Sequence, residues 1–142
     1  MIRRLLRQTA LLLAIAAVPA AISGVIQLEW RNGGVANEEL LPGEIRAGTA
    51  RIWGEKVLWV DARSRKRYEL EHIPGAILLN EDEWERCVPE FLDAWSPDKT
   101  IVVYCDGGRC EASHAVAARL REELQLESVY VLKGGWDAWR KP

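Results

Sequence analysis

Cys105 and Cys110 bound the hexapeptide Cys105-Asp106-Gly107-Gly108-Arg109-Cys110, which directly follows the run "TIVVY", in a chain that holds three cysteines. Two adjacent glycines can adopt positive φ and turn successive backbone N–H groups inward, which makes a concavity that suits an anion. A helix starting just after Cys110 would add its own unpaired N–H groups and the positive end of its dipole, and Arg109 a full charge. A thiol at that mouth loses its proton more readily than free cysteine, whose pKa is about 8.5. On this reading Cys105 is a nucleophile and Asp106, Gly107, Gly108 and Arg109 form the substrate-binding cradle. Cys110 is a second catalytic thiol, able to attack a persulfide on Cys105 or to close a disulfide with it. The alternatives are that Cys105 is a small apolar strand end and that Cys110 packs under the loop. His114 follows Cys110 by four residues, but a tetrahedral metal site wants four ligands and no fourth is evident, so no metal and no cofactor are expected.

The elements that must hold this loop can be traced along the chain. "VLWVDA" and "AILLN" are short apolar runs ended by polar residues, "TIVVY" is mostly β-branched, and "SVYVL" repeats the character. Such runs belong to strands buried on both faces. Between them lie helical patterns. Ile45, Thr49, Ile52 and Trp53 fall at helical spacing before Gly54; Trp84, Val88, Phe91 and Trp95 form a stripe; Ala112, Ala115, Val116, Leu120 and Leu124 form another. Asn80 and Glu83 have the spacing of a capping box, Pro89 should bend or interrupt its helix, and a last helix starts near Trp136. Alternating strands and helices predict an α/β fold with a mostly parallel sheet of four to five strands and helices on both faces. In such sheets ligands bind at the carboxyl ends of strands, where Cys105 stands.

The first 28 residues differ in kind. Arg3, Arg4 and Arg7 precede 21 uncharged residues, Gln8 to Leu28. That length approaches the roughly 20 residues of a membrane-spanning helix. Residues 1–28 are read as a hydrophobic helix, either a signal anchor or a signal peptide cut after Ala21-Ile22-Ser23. Residues 29–43 are read as a linker and 44–142 as the working domain. Basic residues on the inner flank send that domain out of the cytoplasm, either tethered to the membrane or exported after cleavage. Without the three leader arginines, 16 basic residues face 21 acidic ones, a net charge near −5. An acidic domain without a basic stripe excludes nucleic acid as a partner.

"VLWVDARSRKRYELEHIPGAILL", "VVYC" with its Gly-containing loop, and "VYVLKGGWDAW" occur in this order and spacing. Together they resemble the rhodanese-like domain family over roughly residues 44–140. They match its Asp-x-Arg strand, its His-Ile-Pro-Gly-Ala segment, its active-site turn and its Gly-Gly-x-x-x-Trp ending at Gly134, Gly135 and Trp139. Two departures stand out: Glu71 replaces a usual glycine, and Cys110 takes the sixth loop position, usual for arginine, with Arg109 one place earlier. The resemblance implies a five-stranded α/β domain. It also implies a sulfurtransferase or persulfide carrier, in which Cys105 takes sulfane sulfur from a small donor, thiosulfate or a persulfide, and passes it to a thiol acceptor. A thiol–disulfide oxidoreductase using Cys105 and Cys110, and a non-catalytic membrane-tethered binding module, are the competing functions. Phosphatase chemistry needs an arginine at position 111, where this chain has Glu111. The family resemblance gives His72 a structural role, and Asp61 with Arg63 reads as a local brace.

Overall fold

The computed structural model describes residues 39–108 and 111–141. The predicted leader, the linker as far as residue 38, and the two loop residues Arg109 and Cys110 lie outside them. Among the described residues no helix is long and apolar enough to cross a membrane.

Five strands form one sheet: Glu44–Ile45 (β1), Val57–Asp61 (β2), Ile77–Leu78 (β3), Thr100–Tyr104 (β4) and Val129–Leu132 (β5). Their order is β1-β5-β4-β2-β3 and every pairing is parallel. The expectation of a mostly parallel sheet of four to five strands is met at its upper end. β2 and β4 form the centre, in register from Val57 opposite Thr100 to Asp61 opposite Tyr104.

Every residue of β2 is buried, because alternate side chains enter two separate cores. Leu58 and Val60 join Ile101, Val103, Val129 and Val131 beneath helices Trp84–Ala94 (α3) and Glu111–Glu123 (α4). Val57 and Trp59 join Val102, Tyr104 and Leu132 on the opposite face, with helices Ala47–Trp53 (α1) and Gly135–Trp139 (α5). A further short helix, Arg65–Leu70 (α2), follows β2. Trp59, Trp84 and Trp136 are buried, and Trp53, Trp95 and Trp139 pack against the cores, which accounts for these six of the seven tryptophans as packing.

Several local expectations are corrected. Ile45 is buried as part of β1, and α1 starts only at Ala47, burying Ala50 while Thr49 and Ile52 stay exposed. Asn80 Oδ1 does accept from the Glu83 N–H at 2.8 Å. No reciprocal bond forms, because the Glu83 carboxylate is held by Arg65 and Arg86, and α3 begins one residue later. α3 runs through Pro89 uninterrupted. In α4 the buried face is Ser113, Val116, Ala117 and Leu120, which keeps Val116 and Leu120 of the expected stripe and has Ser113 and Ala117 in place of Ala112 and Ala115.

Candidate active site

Cys105 is the first residue past β4, 3% exposed, at the carboxyl end of the sheet's middle strand. Its alternation with Val103 turns the sulfur to the α4 side, where the Ser113 hydroxyl lies 3.5 Å from Sγ. The sulfur is in a disulfide, so it carries no proton to lose, whereas Cys87 is free and buried in α3. Asp106, Gly107 and Gly108 continue the turn; Arg109 and Cys110, the other predicted site residues, lie outside the described residues.

The two glycines do different jobs. Only Gly108 has positive φ, at 63°. Gly107 is small for another reason: a Cβ there would come within 2.6 Å of Asp137 Oδ2. Among the described residues no backbone hydrogen bond occupies the N–H of Asp106, Gly107 or Gly108.

The carbonyls of the same turn are occupied from behind. The Trp136 N–H donates to Cys105 O at 2.7 Å, and the Asp137 N–H donates to Asp106 O at 2.9 Å. Both donors are the orphan amides at the start of α5. Gly135 makes this approach possible, since a Cβ on it would stand 2.3 Å from Cys105 O. The glycine pair thus has a direct physical purpose at the loop.

A buried network holds the loop from the β2 side. Arg63 donates to both Asp61 oxygens, at 2.8 to 3.2 Å, and to Glu71 O at 2.6 Å. Its Nη1 reaches Asp106 Oδ1 at 3.4 Å. The Tyr104 hydroxyl donates to Asp61 Oδ2 at 2.7 Å and accepts from the Ile73 N–H at 3.1 Å. Asn80 Nδ2 donates to Arg63 O at 3.0 Å. Burial alone would lower the Arg63 pKa, but the Asp61 bonds and charge outweigh it and hold the guanidinium protonated. Burial, reinforced by the Asp61 charge, pushes the Tyr104 hydroxyl well above its ordinary value.

The brace read between Asp61 and Arg63 is present, and it extends to Asp106, the residue after Cys105. Sequence reasoning missed Tyr104, Asn80, Trp136 and Asp137. A tyrosine ending a strand buried on both faces was the available signal, because its hydroxyl must find a partner there.

His72 Nδ1 lies 2.7 Å from Tyr68 O, with its ring stacked on Tyr68 at 4.0 Å, which suits a structural role. Among the described residues no group of three or more His, Cys, Asp and Glu side chains is placed to hold a metal. His114 Nε2 instead lies 3.2 Å from Glu44 Oε1, and Lys133 Nζ lies 3.3 Å from Glu44 Oε2.

The family model for the rhodanese-like domain matches residues 48–142, more than half of the chain. The chain belongs to the rhodanese-like domain family. This rhodanese-like domain is 35% identical over 81 residues to a tRNA uridine(34) hydroxylase of Yersinia pestis, covering 55% of this chain and 22% of that protein. It is 30% identical over 99 residues to the adenylyltransferase and sulfurtransferase UBA4 of Eremothecium gossypii, covering 63% of this chain and 22% of that protein. It therefore spans little more than a fifth of the length of either relative. The solution structure of the rhodanese-like domain of the Anabaena protein Alr3790 is similar, at 27% identity and TM-score 0.53, covering 70% of this chain and 74% of that one.

Proposed function

We propose that the domain is a sulfurtransferase or persulfide carrier with Cys105 as its nucleophile. The observation that carries this reading is a cysteine at the end of a central strand, followed by three loop amides with no backbone acceptor among the described residues. Sulfur transfer is also consistent with the family and with a relative named as a sulfurtransferase. A Cys105 thiolate attacks the outer sulfur of the donor; an S–S bond forms, the donor's own S–S bond breaks, and sulfite or a thiolate departs with the electron pair. An acceptor thiolate then attacks the terminal sulfur of the persulfide and regenerates the Cys105 thiolate. The cradle amides and Arg109 stabilise the negative charge at each stage.

Cys105 is in a disulfide and Cys87 is free, and we propose Cys110, which lies outside the described residues, as the partner. That bond favours a second reading, in which the pair exchanges disulfides with a dithiol partner, one pair oxidised as the other is reduced. In the first reading the bond is a resting form that two equivalents of a thiol must open before sulfur is loaded. A disulfide also agrees with a domain carried outside the cytoplasm by residues 1–28, tethered or exported, where such bonds persist.

Mass spectrometry of the reduced full chain treated with thiosulfate or polysulfide tests the proposal. The expected result is one added sulfur on Cys105, transferable to a thiol and absent in Cys105→Ser. Transfer that survives Cys105→Ser overturns it. Insulin reduction by wild type without any persulfide formation would establish the second reading instead.

A further inference from the structure

Ser113 is the third residue of α4, 2% exposed, with its Oγ 3.5 Å from Cys105 Sγ. Its direction is fixed by the residues that share its stripe of the helix, Val116, Ala117 and Leu120. Those three are fully buried in the core that also holds Val103 and Val131. The stripe cannot turn without lifting them out of that core, so the hydroxyl stays on the side of the sulfur.

Packing alone would accept alanine at this position, and burying a hydroxyl costs free energy unless it is hydrogen-bonded. The strength of its bond to sulfur depends on the charge of the sulfur. A neutral thiol or disulfide sulfur accepts weakly, whereas hydrogen bonds to an ionised acceptor are roughly twice as strong as neutral ones. The contact with Cys105 is therefore weak in the disulfide present here and strengthens as Cys105 becomes a thiolate. An interaction that strengthens along the reaction coordinate is the kind that accelerates it. The positive end of the α4 dipole acts in the same sense.

We propose that Ser113 is a further catalytic residue, whose hydroxyl donates to Cys105 Sγ as that sulfur takes up the electron pair of a breaking S–S bond. The inference rests on the sulfur-transfer reading for the reaction that the hydroxyl serves. In delivery, the acceptor thiolate bonds to the outer sulfur of the persulfide, the S–S bond breaks, and the pair stays on Cys105 Sγ. Ser113 Oγ keeps its proton throughout and shares it with the new thiolate as a hydrogen bond. In loading, the same bond holds the thiolate ready before it attacks the donor. Attack of a thiolate on the partner sulfur of the disulfide likewise sends the pair to Cys105.

The test follows alkylation of the reduced full chain by iodoacetamide as a function of pH, in the wild type and in Ser113→Ala. Trypsin cuts after Arg109, so mass spectrometry reads Cys105 and Cys110 on separate peptides. Ser113→Ala removes a single oxygen and leaves a good helix former, so the variant keeps the fold. Its Cys105 inflection is expected to rise by about one pH unit, a tenfold loss of thiolate below the inflection. The charged groups of the brace, Arg109 in the loop, Glu111 and His114 on α4, Lys133 beyond β5 and Asp137 on α5 stay the same in both proteins, so the shift isolates the hydroxyl. At high pH, where every Cys105 is ionised, the variant should react at least as fast as the wild type, because a less stabilised thiolate is the stronger nucleophile. Transfer from the loaded variant to a thiol should slow severalfold, since its leaving thiolate is less stable. An unchanged inflection, a wild-type Cys105 with no inflection, or a slower variant at high pH overturns the proposal. Alkylation needs no sulfur donor, so a hydroxyl-dependent thiolate in a protein that loads no sulfur would sink the sulfur-transfer reading and leave Ser113 as the donor to Cys105.

Discussion

Two carboxylates anchor opposite sides of the sheet, and both are nearly closed to solvent: Asp61 at the end of β2 and Glu44 at the start of β1. Asp61 is surrounded by partners that are themselves buried, the Arg63 guanidinium and the Tyr104 hydroxyl, in the middle of the molecule. Glu44 sits at the sheet edge, and its partners are less buried: Lys133, 15% exposed, at 3.3 Å, and His114, 41% exposed, at 3.2 Å. The first arrangement cannot exchange its partners for water without opening the core. The second can do so by rotating two side chains. A buried ion pair is costly to break from one side, because the abandoned charge has nowhere to go, whereas a pair with one wet member loses little. The central cluster is a rigid brace for the loop, and the edge cluster is a clasp that solvent and protons can loosen.

The comparison is broken most directly by Arg63→Ala. It strands the Asp61 carboxylate and removes the link to Asp106, and the expected destabilisation is roughly 3–5 kcal/mol in urea unfolding. A loss below about 1 kcal/mol would mean that water reaches Asp61, and the distinction between brace and clasp would fall.

How much of this was legible in the sequence depends on distance along the chain. The strands β2 to β5 were legible because burial leaves an apolar run in each. β1 was not, since two residues carry no period, and Ile45 also fitted a helical stripe whose Ile52 proves 85% exposed. The place of Cys105 at a strand end followed from the order of elements alone. Gly107 was misread for a related reason: the turn asks for positive φ only at Gly108, while the need at Gly107 comes from Asp137, thirty residues further on. Asp61 with Arg63 could be paired at two residues' separation, yet the step to Asp106 crosses 43 residues and the Tyr104 hydroxyl's step to Asp61 another 43.

Tyr104→Phe sharpens the comparison from within the brace. The ring stays in the core, but Asp61 loses a donor and the buried Ile73 N–H loses its acceptor. The expected cost is roughly 1–3 kcal/mol, below that of Arg63→Ala because Arg63 still neutralises the carboxylate. Hydrogen exchange at the Ile73 amide should quicken in the same variant. An unchanged rate would show that the amide had found another acceptor and that the hydroxyl was not essential to the network.

The smallest effect belongs to the clasp, and its sign is set by protonation. Burial pushes the Glu44 carboxyl up, but the Leu41 N–H, Lys133 and His114 outweigh it and hold the group below its ordinary value of 4.5. A carboxyl lowered by folding stabilises the fold in full above that value, and the contribution drains away as pH falls through 4.5 towards the lower folded-state value. Glu44→Gln keeps an acceptor for the Leu41 N–H while deleting the charge, so the loss at pH 7 should be about 1 kcal/mol. Thermal unfolding of both proteins from pH 7 downward would show the two curves converging below 4.5, with the wild type losing more. A constant gap across that window would mean that the Glu44 charge contributes nothing, and the clasp would be only packing.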